Sequence, residues 1–283
     1  MTRRFIKDVG FEYYHNNKSI IVQLLSVTKE NSQFDKKDLM NMIRITSNYF
    51  DSIANNKITE KELFGNLQIE EYDLEISGLS FYKFISKATY ENFLKKGKFQ
   101  LGSLKFYREI ENLNSRDEKE GFSNLLINSG NRSIFTSVIA GFNHYIFCGR
   151  DTNDKSNIMS NKFGDICLKI KNIKAFADKI KKSIGAKNWT IKKVTYSDFK
   201  AYSTNQLITD LKGVSPDLSD EFFNYLIQYS FLPSIFCKPT CFSTENELRL
   251  TFEMDKNVKK KMNFDNLGLL DQIEIIKIYS GQK

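Results

Sequence analysis

Proline is nearly absent from this sequence, with three in 283 residues, and the fourteen glycines are too few for long disordered linkers. Histidine is scarcer still. His15 sits beside Asn16-Asn17 and reads as a turn residue, while His144 lies in an apolar run and reads as a satisfied core side chain. Neither stands near a convincing nucleophile, so no Ser/Cys–His–Asp triad can be composed. Of the four cysteines, Cys148 and Cys167 fall in apolar stretches and read as small buried hydrophobes. Cys237 and Cys241 form a C-x3-C pair with no second ligand pair, which argues against zinc. The P-loop, the dinucleotide-binding glycine fingerprint and the HExxH motif are all missing. No apolar run reaches the ~20 residues of a membrane-spanning helix, and the first twenty residues lack the apolar core of a secretory signal. These absences predict a reduced, cytoplasmic protein with no membrane partner.

What is present is a large supply of core-forming residues, 24 Phe and 13 Tyr among 41% hydrophobic content. The net charge of +8 suits a polyanionic partner such as nucleic acid, and equally a lysine-rich solvated surface. The basic clusters Lys179 to Lys182 and Lys256 to Lys261 lack the glycine or aromatic framing of a nucleic-acid motif.

Two regions differ in pattern. Residues 1–78 predict a mostly helical extension. In it, Ser19 to Val27 is a buried element of either type. Asp35 caps a helix carrying Leu39, Met42, Ile45, Tyr49 and Ile53, and Thr59-x-x-Glu62 is a capping box opening a short helix to Gly65. Residues 79–283 predict an α+β domain with largely antiparallel strands and helices at its sides. Strands are expected at 79–84, 99–106, 133–149 as two runs, 163–170, 189–196, 235–236, 247–252 and 273–279. Helices are expected at 89–95 ending at Gly97, after the Asn172 cap, and at 219–229.

Two polar constellations interrupt this pattern. Arg116-Asp117-Glu118-Lys119-Glu120-Gly121 follows the aromatic end of a strand and closes on a glycine. Arg116 is suited to fork a phosphate or carboxylate, with Asp117 and Glu120 to orient it. The alternative is an exposed, merely soluble loop. In Glu245-Asn246-Glu247-Leu248-Arg249, period-two alternation puts Glu245, Glu247 and Arg249 on one strand face and Leu248 in the core. That face is either a solvated one or a site where a carboxylate stabilises developing positive charge. The two segments are expected to face each other across one cleft.

The order YKFIS, LGSLKFYREI, RDEKEG, YIFCG, FGDICLKI and KPTCFSTENELRL, spanning about residues 79–281, resembles bacterial proteins of unassigned function found beside abortive-infection and phage-defence genes. Some of these look related to ADP-ribosyltransferase-type toxins. The resemblance implies a split antiparallel β core gripping NAD. A first-strand residue binds the dinucleotide, a second-strand tyrosine supports the nicotinamide, and a late glutamate stabilises the oxocarbenium-like ribose. By position these become Tyr82 or Lys83, then Tyr107, then Glu247, with Glu245 upstream in an E-x-E pair. The first strand lacks the usual His or Arg, so the pyrophosphate contact falls to Arg108 or Arg116. The implied protein is a defence or toxin–antitoxin effector, with RNA or a translation component as acceptor and a cognate antitoxin or phage trigger as partner. Two other readings stay open. One is a Mg²⁺-dependent nuclease using Asp117, Glu120, Glu245 and Glu247. The other is a non-catalytic sensor or binding module.

Overall fold

The computed structural model describes residues 5–15, 18–28, 36–55, 76, 78–110, 116–129, 132–152, 158–198, 200–204 and 232–278. The helices expected at 59–65 and 219–229 lie outside these residues. In chain order the elements begin with β1 Phe5–His15, β2 Lys18–Thr28, α1 Lys36–Ala54, β3 Phe81–Ile85, α2 Lys87–Asn92, β4 Lys98–Ser103 and α3 Leu104–Glu109. There follow β5 Phe122–Ser129, β6 Arg132–Ile139, β7 His144–Arg150, α4 Ile158–Phe163, β8 Ile166–Ile170, α5 Ile173–Ile184, β9 Asn188–Lys193, β10 Thr195–Tyr196 and β11 Ala201–Thr204. The last are β12 Cys237–Lys238, β13 Glu247–Glu253, β14 Lys261–Asp265 and β15 Ile273–Ile278.

The chain forms two compact units, each assembled from three separate stretches, and neither boundary falls at residue 78. The first comprises 1–69, 119–142 and 195–240. Its sheet has the order β1-β2-β6-β5-β11, with β2 running parallel to β6 and β5 parallel to β11. The helical extension expected for residues 1–78 is therefore corrected. Its described part is two eleven-residue strands and one helix. The strands are shared with a sheet whose other members come from beyond residue 120. The undecided segment 19–27 is strand β2. Helix α1 forms as its spacing predicts, with Met42, Ile45 and Tyr49 buried.

The second unit comprises 70–118, 143–194 and 241–283 and carries an eight-stranded sheet in which every pairing is antiparallel. The protein is thus α+β with a mainly antiparallel sheet and a few helices. Along one edge of β7, β13 pairs at every residue from His144 to Arg150. Along the other edge the sheet forks. β4 pairs with Tyr145 and Ile146, while β3 meets β7 only at Arg150 before continuing beside β8. One face of this sheet is the core, where Phe81, Phe147, Leu248, Leu250 and Phe252 pack with Phe176 and Ile180 of α5. Helix α5 has the ends its sequence predicts. Asn172 Oδ1 accepts from Ala175 N–H, and Gly185 closes it at φ 67°.

Two strand boundaries move for local reasons. The strand expected to reach Phe106 stops at Ser103, whose hydroxyl accepts from Phe106 N–H and opens α3 instead. Residues 235–236, expected as strand, are helical, and the strand begins at Cys237.

Gly149 sets the approach of β3 to β7. A Cβ there would press on the Phe81 ring and stand 2.7 Å from Tyr82 O. Gly149→Ala is therefore expected to destabilise by about 1–3 kcal/mol through overpacking against backbone. That should lower the Tm by on the order of 5 °C in a thermal denaturation.

Candidate active site

Residues directly opposite one another in an antiparallel pair project to the same face of the sheet. Arg150 is the register partner of Tyr82 on β3 and of Glu247 on β13. Tyr82, Arg150 and Glu247 thus stand in one transverse row across three neighbouring strands, on the face opposite the Leu248–Leu250–Phe252 core. The adjacent row on the same face is Cys148, Arg249 and Lys192.

Glu247 and Arg249 are 4% and 1% exposed, which rules out the solvated-face alternative for this strand. They satisfy each other. Arg249 Nε donates to Glu247 Oε1 at 2.8 Å, a charge-assisted bond in a shielded setting. The Cys148 thiol also hydrogen-bonds Glu247. Burial, then the Glu247 charge, pushes that thiol far above its ordinary range, so it stays protonated and inert at neutral pH. The row is graded in exposure, from buried Glu247 to half-buried Arg150 and Tyr82. Arg150 Nε is shielded from solvent and has no hydrogen-bond partner. Arg150, Arg249 and Lys192 place three cations in these two rows beside the Glu247 carboxylate, and Glu253 lies further along the same face of β13.

The other predicted residues have surroundings of their own. Glu245 does not share the strand face, because Asn246 takes φ 47° and the strand begins only at Glu247. Glu245 ends the 3-10 turn Thr240–Glu245 and accepts from Lys162 Nζ of α4 at 2.6 Å. Lys83 is adjacent to Tyr82 in sequence and therefore on the opposite face. Its ammonium donates to Cys148 O at 2.7 Å and lies 4.4 Å from the centre of the Phe147 ring. Tyr107 and Arg108 are on helix α3 rather than on a second strand. The Tyr107 ring packs edge-on against Phe106 at 5.1 Å, and Arg108 is buried.

The RDEKEG cluster is divided between the two units. In the second unit, Arg116 directs its guanidinium to Glu118 at 3.1 Å, a half-exposed surface pair, rather than being oriented by Asp117 and Glu120. Asp117 is buried, and its N–H donates to Tyr107 O. In the first unit Glu120 is buried, while Lys119 Nζ donates to Asp198 O at 2.6 Å and Lys200 Nζ to Lys119 O at 2.7 Å. Asp198 in turn accepts from Thr240. That half of the motif staples its own unit together.

Arg150 was not singled out from the sequence, although it closes the YIFCGR strand two residues after Cys148 and so shares its face. Only the register shows that it lies between Tyr82 and Glu247. His144 is the satisfied core histidine expected, 5% exposed with Nδ1 3.0 Å from Asn143 Oδ1. Among the described residues no group of three or more His, Cys, Asp or Glu is placed to hold a metal ion, and no helix is long and apolar enough to cross a membrane. Compared with protein-family models, curated proteins and solved structures, the chain matches none.

Proposed function

We propose that this protein is an ADP-ribosyltransferase-like effector of bacterial antiphage defence or of a toxin–antitoxin pair, transferring ADP-ribose from NAD to a nucleic-acid or protein acceptor. The observation that carries the reading is the row Tyr82–Arg150–Glu247, which sets an aromatic ring, a guanidinium and a carboxylate side by side on three strands. The fork of the sheet beside β7 also supports it, since enzymes of this kind are built on a split antiparallel core.

In this reading Arg150 takes the NAD pyrophosphate, the role earlier given to Arg108 or Arg116, and Tyr82 holds the dinucleotide. The reaction breaks the bond between the ribose C1′ and the nicotinamide nitrogen, and the electron pair leaves with nicotinamide. The cationic ribose that forms is stabilised by the Glu247 carboxylate, fixed in place beforehand by Arg249. The acceptor's lone pair then bonds to C1′, and its proton passes to solvent. Tyr107 has no direct part, and Glu245 supports the turn leading into β13. The nuclease alternative is not favoured, because Glu245 and Glu247 each face a cation at bonding distance instead of sharing a metal position.

The test is release of nicotinamide from NAD by the full chain, in the presence of cellular RNA and protein as acceptors. Arg150→Ala, at a half-buried position, should fold normally and lose about 100-fold in kcat/KM, the scale of one lost charge-assisted contact in a transition state. No NAD turnover by the unaltered protein, or full turnover in Arg150→Ala, would sink the proposal. Retained cell toxicity without NAD turnover would favour the binding module.

A further inference from the structure

The opposite face of the same sheet holds a cavity of about 580 Å³ in the fork between β3 and β4. Its size falls within the range of about 300–1,000 Å³ of pockets that take small organic ligands. The walls are mostly apolar, formed by Ile85, Phe93, Leu94, Phe99, Phe147 and Leu168. Lys83 lines it as well, and burial lowers the affinity of that amine for its proton.

We infer that this cavity binds a small amphipathic anion, a carboxylate on a hydrocarbon or aromatic body, with Lys83 as the anion's partner. The argument is one of charge complementarity. Three of the other polar side chains of the lining are already hydrogen-bonded. Gln100 Nε2 donates to Asn263 Oδ1 at 2.8 Å, and Thr89 shares a hydrogen bond with Ser86. Lys98 is an exposed residue, with a carboxylate, Asp265, as its register partner on β14. Lys83 is different. Of its three ammonium donors one goes to a backbone carbonyl, its cation rests over Phe147, and among the described residues no carboxylate lies at bonding distance. A part-buried cation so placed is stabilised by an arriving anion, while the aliphatic and aromatic walls take an apolar tail. Phe93 supports the same conclusion. It is 55% exposed although it borders the cavity, an aromatic at the mouth that a seated ligand would cover. Lys83 and Tyr82 leave β3 on opposite faces, and the Glu247 charge still acts on Lys83 through the sheet.

Titration calorimetry of the full chain with octanoate and, separately, with octanol tests the inference. The two probes share a tail and differ in charge, so octanoate is expected to bind roughly tenfold or more tightly. Lys83→Met should fold, keep octanol binding and remove the preference. Should Lys83→Met fail to fold, Phe93→Asp decides. That exposed position tolerates the change, and a like charge at the mouth should weaken octanoate far more than octanol. The inference is overturned if octanoate does not bind at millimolar concentration, if the two probes bind equally, or if the preference survives in Lys83→Met. An undiminished preference in Phe93→Asp overturns it too.

Discussion

Glu247→Gln is expected to lower nicotinamide release by about 10²–10³-fold with little change in the dissociation constant for NAD. The amide keeps an oxygen that can accept from Arg249 Nε, so the geometry of β13 is preserved. What is lost is negative charge beside the ribose as it becomes cationic, an interaction stronger in the transition state than in the ground state. Such a loss appears in kcat, whereas Arg150→Ala removes a contact made in both states and should also raise KM. Steady-state kinetics of the two variants, with NAD binding measured separately, check this. A Glu247→Gln enzyme with unchanged kcat would leave the Glu247–Arg249 pair a purely structural device.

Glu247→Leu should behave quite differently, losing about 3–5 kcal/mol of folding stability. Both members of the pair are almost fully enclosed, and the substitution takes from Arg249 its contact with the carboxylate. The reason lies in desolvation. A shielded ion pair gains little over two apolar side chains, but half of it is costly to keep. The double variant Glu247→Leu/Arg249→Met should therefore recover most of what either single change loses. In a double-mutant cycle the two effects would be strongly non-additive. Denaturant unfolding with all four proteins measures it, and simple additivity would mean that the two charges are stabilised independently.

The sequence was most informative where structure is decided by near neighbours. Asn172, the apolar spacing from Ile173 to Ile180, and Gly185 together specify α5, because capping and helical periodicity act within a few residues. The alternation Glu247, Leu248, Arg249, Leu250 correctly divides β13 between charge and core. It fails by one step at Glu245, since nothing in the residue pattern requires Asn246 to leave the extended region. β1 was not foreseen and β2 was left undecided for another reason. β2 is settled by β6, a parallel partner more than a hundred residues away, and a short apolar run such as SIIVQLLSV fits either state until that partner is known. The same distance hides the site. Tyr82, Arg150 and Glu247 become neighbours only through strand register, and the more conspicuous RDEKEG run drew attention to charges that largely serve local structure.

The order in which strands enter the second unit has a consequence for biosynthesis. β13 lies between β7 and β9, yet it leaves the ribosome after both, with more than fifty residues separating it from β9. Until it arrives, the edges of β7 and β9 remain open, and the sheet must wait for contacts that close very long loops. The incoming strand also brings Glu247. A nascent or prematurely ended chain that lacks this strand has neither a closed sheet nor the acidic group proposed for chemistry.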